Sequence, residues 1–100
     1  MSQQVSLQTA FLQAASAIIN ELDTRYTAAD SASRSQLKGE LSKAVMSFSE
    51  ARCKILEDEV ACTPEDVLML QNLRRDVEQA AEIQPLVQVM VRLTGVLIQL

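Results

Sequence analysis

Apolar residues recur along this chain at spacings of three and four, the mark of helices that bury one face. Over residues 5–28, Leu7, Phe11, Ala14 or Ala15, Ile18, Leu22 and Tyr26 form one stripe. Gln8, Gln13, Ser16, Asn20 and Asp23 take the opposite side, and a second apolar row of Leu12, Ala15 and Ile19 widens the buried face. The small polar run from Ala28 to Ser35 predicts a turn. Within it Asp30, Ser31 and Ser33 each carry a side-chain oxygen able to cap a following helix. Ser33 with Gln36 fits a capping box.

A second helix is predicted from about residue 33 to 61. Leu37, Leu41, Ala44, Phe48, Ala51 and Ile55 alternate spacings of four and three, a seam of the coiled-coil kind. Val45, Arg52 and Leu56 flank that seam, so the apolar face is broader than two helices need. Gly39 falls inside the helix, where Gly costs up to about 1 kcal/mol relative to Ala; it reads as tolerated.

Thr63-Pro64-Glu65-Asp66 is the sharpest local signal. Thr63 suits an N-cap, Pro64 the first helical position, and the two acids the positive end of the helix dipole. With one helix ending near Ala61 and the next opening at Pro64, the short connection predicts an antiparallel hairpin. The third helix runs to about residue 83 on a stripe of Val67, Leu70, Leu73, Val77, Ala80 and Ala81. Arg74, Arg75, Glu78 and Glu82 face outward, with Glu78 in reach of either Arg.

Gln84-Pro85 then predicts a break or kink. Residues 86–100 are mostly apolar and point in most directions around a helix. The same residues also alternate with a period of two, as a strand paired with a partner copy would. Helix is the preferred reading. A helix apolar nearly all round must be covered on several sides. The predicted second helix alone would be about 43 Å long, against the roughly 35 Å diameter of a compact domain of this size. Long rods and a helix with too few neighbours together imply self-association, most simply a twofold dimer.

Composition narrows the chemistry. The chain has 100 residues and is 48% hydrophobic but only 3% aromatic, so aliphatic side chains must fill the core. It has no His, which removes the commonest general base and metal ligand. Its two Cys are too few for a structural zinc tetrahedron. Gly39 and Gly95, the only glycines, make no phosphate-cradling loop. The net charge of −4 and scattered basic residues argue against nucleic acid as a partner. On one straight helix Cys53 and Cys62 would stand about 13 Å apart, too far for a mutual disulfide. Both are expected as reduced thiols, hence a cytoplasmic protein. No signal peptide is expected at the N-terminus. The apolar stretch Leu86–Leu100 carries Arg92 and is shorter than the roughly 20 residues that span a membrane.

Two sets of side chains are candidates for contact with other proteins. Leu86, Val89, Met90, Leu93, Leu97 and Leu100 are the expected interface. Glu57, Asp58, Glu59, Glu65 and Asp66 are a possible docking face for a basic partner, although such acids are ordinarily just solvated. Glu57–Glu59 oppose the dipole of a helix C-terminus. The acidic run lacks the alternating oxygen ligands and internal Gly of a calcium loop. Met46, Met69 and Met90 read as core filler, and Arg92 as a residue that pairs with an acid or snorkels to an interface edge.

From Thr63 onward the sequence reads Thr-Pro-Glu-Asp-Val-Leu-Met-Leu-Gln, and it ends in the apolar tail Val96-Leu97-Ile98-Gln99-Leu100. This stretch resembles the C-terminal half of type III secretion needle and inner-rod subunits. The matching positions are Pro64, Leu68, Leu70, Gln71, Val91 and Leu97. The resemblance covers residues 63–100 and rests on apolar spacing. It implies a C-terminal helix that packs into a helical polymer, with the chain a subunit or chaperone of such an assembly. Pro85 interrupts the place where the helix of that family continues, and the chain is longer than a needle subunit.

The residues therefore predict an all-α protein with a single helical-bundle domain over residues 1–100. It is an elongated antiparallel bundle of three or four helices, completed by oligomerisation. The expected function is non-enzymatic contact with proteins, including a second copy, with no cofactor, metal, nucleic acid or membrane involved.

Overall fold

Helix starts in this chain are set by local chemistry. The computed structural model describes residues 2–100, with side chains from residue 5 onward. Its helices are α1 (Ser2–Ala28), α2 (Ser31–Leu56), α3 (Pro64–Gln79) and α4 (Ile83–Ile98). Asp30 caps α2, its Oδ1 accepting from the Ser33 N–H at 2.8 Å, so the cap is Asp30 rather than Ser33. Thr63 caps α3 as expected: its hydroxyl accepts from the Asp66 N–H at 3.1 Å, and the Asp66 carboxylate accepts from the Thr63 N–H at 3.2 Å.

Helix ends depart further from expectation. α2 stops at Leu56, short of residue 61. Asp58 adopts φ 58°, the left-handed region, and two crossed bonds close the helix there. The Glu59 N–H donates to the Lys54 carbonyl at 2.8 Å and the Asp58 N–H to the Ile55 carbonyl at 3.1 Å. Three consecutive acids at the negative end of a dipole are a reason to stop, and Asp tolerates the left-handed turn better than most side chains. α3 likewise ends at Gln79, and α4 opens at Ile83. Pro85 thus lies in the first turn of α4, where a missing N–H forfeits no helical bond. It opens a helix instead of kinking a long one, and residues 86–98 are helix rather than strand.

The result is an all-α, antiparallel four-helix bundle in which successive helices reverse direction. Gln8, early in α1, donates to the Ile55 carbonyl at 3.5 Å and to Asp58 at 3.3 Å, which sets the start of α1 beside the end of α2. Arg25, late in α1, reaches the last carbonyls of α3. α1 packs on α2 and α3, and α4 packs on the same two, whereas α2 and α3 lie on a diagonal without contact. The expected α2–α3 hairpin is therefore absent. Residues 57–63 cross the end of the bundle, and the hairpins are α1–α2 and α3–α4. The extents are 47 × 23 × 18 Å, so the shape is elongated, as expected. The radius of gyration is 13.6 Å, close to the roughly 13 Å of a compact chain this long. The reversal before α4 removes the long rod that a kink alone would have left.

One continuous core runs through the bundle. Phe11, Ile18 and Leu22 of α1 meet Leu37 and Ile55 of α2, Leu70, Leu73 and Val77 of α3, and Met90 and Leu93 of α4. Cys62, in the crossing segment, is buried at one end. No polar or charged residue is buried among the described residues, so burial of aliphatic area holds the bundle together.

Candidate functional site

The residues expected as an interface on α4 sit in this chain's own core. Leu86, Val89, Met90, Leu93 and Leu97 are buried, and Leu100 is half-buried against the same cluster. α2, α3 and the inner face of α1 cover them, so their burial needs no second copy. Sequence periodicity marks a stripe as buried without saying by what.

What remains outside is a different set. Among the described residues, Val5, Val45, Met46, Leu56, Leu68, Met69, Val91 and Ile98 are large, apolar and exposed. Met46 and Met69, read from sequence as core filler, are 64% and 43% exposed, and only Met90 is core. Val91 and Ile98 share the outward stripe of α4, one heptad apart.

A shallow groove of about 490 Å³ lies between α1 and α2. Leu12 and Ser16 line it from α1, Phe48 and Arg52 from α2. Val45 and Leu56 continue the Phe48–Arg52 stripe at helical spacing, up and down the same edge of α2. Of the second apolar rows noted in the sequence, Leu12 lines this groove, and Ile19, Val45 and Leu56 lie outside its lining. Leu12, Ile19 and Phe48 are half-buried, and Val45 and Leu56 are open to solvent.

A second groove separates α3 from α4. Arg92 spans it to Asp76, its Nη1 3.2 Å from Oδ2, so the acid that Arg92 finds lies within its own chain. Met69, Leu73 and Val96 line the groove on one side of this pair, and Ala80, Pro85 and Val89 on the other.

The acidic candidates lie at the end of α2 and the start of α3. Glu57, Asp58 and Glu59 are exposed at the end of α2, and Glu65 is exposed in the first turn of α3. Asp66 is half-buried and engaged in the α3 capping box. Among the described residues no cluster of His, Cys, Asp or Glu is arranged to hold a metal. Burial pushes the Cys62 thiol above its ordinary value, and the negative charge of Asp66 adds to the shift. The Thr94 hydroxyl is buried with no hydrogen-bond partner.

The positions that carry the sequence resemblance to secretion needle subunits fall in three places. Pro64 opens α3, Leu70 and Leu97 are core, and Leu68, Gln71 and Val91 face solvent. Among the described residues no helix is long and apolar enough to cross a membrane. Comparison of the chain with protein-family models, with curated proteins and with solved structures gave no match.

Proposed function

We propose that this protein is a small non-enzymatic helical bundle that works by protein–protein contact and self-association, with a dimer as its simplest form. One observation carries the reading: among the described residues Val5, Val45, Met46, Leu56, Leu68, Met69, Val91 and Ile98 stay exposed after an all-apolar core has closed. Scattered exposed apolar residues are ordinary on any protein. Exposed apolar side chains that share one helix face, as Val91 and Ile98 do on α4, are what contact surfaces present. The cytoplasm, where Cys53 and Cys62 stay reduced, is the compartment this reading assumes. The test is absolute mass in solution, by light scattering behind a sizing column over a range of concentrations. A dimer supports the reading. A monomer at every concentration overturns self-association, and mass that rises without limit indicates a polymer.

A further inference from the structure

The bundle closes between its two hairpins more than within them. α1 packs most extensively on α3, and α2 on α4, whereas α1–α2 and α3–α4, the pairs joined by short turns, share less contact. The surface grooves run along those two weaker seams: Leu12 and Phe48 line one, Met69 and Val96 the other. Where the two turns meet, at the end away from residues 57–63, a further hollow of about 390 Å³ separates them, with Arg25 on its wall. Each hairpin therefore presents an apolar face whose complement lies on the other hairpin, and every copy of the chain carries both faces.

A single segment, residues 57–63, ties the hairpins together. Within it Cys62 is buried and Val60 half-buried, while Glu57, Asp58, Glu59, Ala61 and Thr63 are exposed. Asp58 holds φ 58°, in the left-handed region that costs a residue with a side chain. Few buried contacts and a disfavoured backbone make this a segment that opens readily. Pro64 fixes how it opens. α2 cannot run straight on into α3, because Pro in a helix interior removes a bond and clashes with the preceding turn. The open segment is an extended strap that reaches up to about 27 Å from Leu56 to Pro64.

We propose that two copies exchange their α3–α4 hairpins at residues 57–63, forming a swapped dimer. This rests on the self-association reading and names its surface: the α1–α2 face of each copy takes the α3–α4 face of the other. The packing of α1 on α3 and of α2 on α4 is re-formed between copies, together with the bonds from Arg25 to the carbonyls of Val77, Glu78 and Ala80. The closed and swapped forms differ in the hinge, where Asp58 leaves its left-handed turn, and in the cost of joining two chains. Concentration therefore decides between them.

The experiment refolds an equal mixture of isotope-labelled and unlabelled protein from urea at high concentration. Any dimer is isolated on a sizing column, and isotope-filtered NOEs are recorded between methyl groups of α1 and α3. In the swapped dimer these contacts join labelled to unlabelled chains. A dimer whose α1–α3 contacts all stay within one copy overturns the swap and leaves self-association standing. A monomer at every concentration overturns both. A second measurement shortens the hinge. Deleting residues 58–61 leaves Glu57, Cys62 and Thr63, which stretch to about 14 Å at most. That is no more than the diagonal of a bundle whose neighbouring helices lie about 8–10 Å apart. The closed form is then disfavoured, and the dimer dissociation constant falls by about tenfold or more. A deletion variant that folds as a monomer overturns the swap, and if it does not fold the wild-type contacts decide.

Discussion

Arg25 donates from Nη2 to the carbonyl of Val77 at 3.2 Å, joining the end of α1 to the end of α3. The same guanidinium donates to the carbonyls of Glu78 and Ala80, and Nε pairs with Glu21 at 2.9 Å. α3 has no basic residue in its last turn, and its terminal carbonyls lack intrahelical partners. Arg25 therefore supplies, from another helix, the cation and donors that its sequence neighbours commonly provide. Replacing Arg25 with Ala should cost about 1.5–3 kcal/mol, the range for hydrogen bonds to a charged group. Lys at this position should recover only part of that, because an ammonium lacks the planar fork. Urea unfolding of the three proteins measures both.

Leu93 separates a core role for α4 from an interface role. It is fully buried within one chain, so Leu93→Ala should destabilise the fold by about 2–5 kcal/mol at any protein concentration. Leu93→Asp should abolish helicity rather than yield a folded monomer, since it buries an unpaired charge. Circular dichroism with mass determination tells the two apart. A folded, monomeric Leu93→Asp protein would contradict the packing described.

Asp58 holds a left-handed conformation at the end of α2, where Gly is the commonest residue. Asp58→Gly should raise the melting temperature, through a gain of about 0.5–1 kcal/mol, less whatever the exposed bond from Gln8 contributes. If this variant were less stable, the Gln8 contact would outweigh the backbone term.

Asp30 gives the stability a dependence on acid. Its carboxylate is held below the ordinary value of 3.8, chiefly by the hydrogen bond from the Ser33 backbone and then by the Ser33 side chain. The folded value lies below the unfolded one, so the contribution is complete above the unfolded value and is lost as pH falls through the folded one. Melting curves from about pH 5 to about pH 2 should show a smaller decline for Asp30→Asn, which caps without a charge to lose.

The two thiols should differ in reactivity. Cys53 is exposed and Cys62 buried, and burial raises the Cys62 value further from neutrality. A thiol reagent should modify Cys53 alone in the native protein and both residues in denaturant. Raising the pH past 9.0 should destabilise the fold, because the unfolded Cys62 thiol ionises before the native one. Equal native rates for the two thiols would mean that the crossing segment opens readily.

Much of the bundle was legible because helix periodicity is a local property. The stripe Leu37–Ile55 marks α2, and Thr63-Pro64 marks the start of α3, because a side chain within a turn or two decides each. The end of α2 was legible in principle. Glu57, Asp58 and Glu59 oppose the dipole, but an apolar stripe that fades gradually obscured the boundary. Pro85 was ambiguous: the same residue kinks a helix interior or opens a first turn, and only the position of the preceding helix end distinguishes them. The candidate surface was half-visible. Val45 and Leu56 stood out as excess apolar width, while Leu93 and Met90 looked equally available for contact.

The sequence by itself determined that this chain forms helices, that their apolar stripes meet in an aliphatic core, and that Thr63 sits where a cap is needed, while Asp30, Ser31 and Ser33 all stood open as the cap of α2. Only the tertiary structure decided which stripe covers which. It placed α2 and α3 on a diagonal, brought Arg25 to the end of α3, enclosed α4 within one chain and left the α1–α2 groove open. The physical reason is range. Helix and cap energies depend on residues within about four positions, whereas an apolar face is satisfied equally by any complementary face. The choice among faces belongs to the packing of the whole chain.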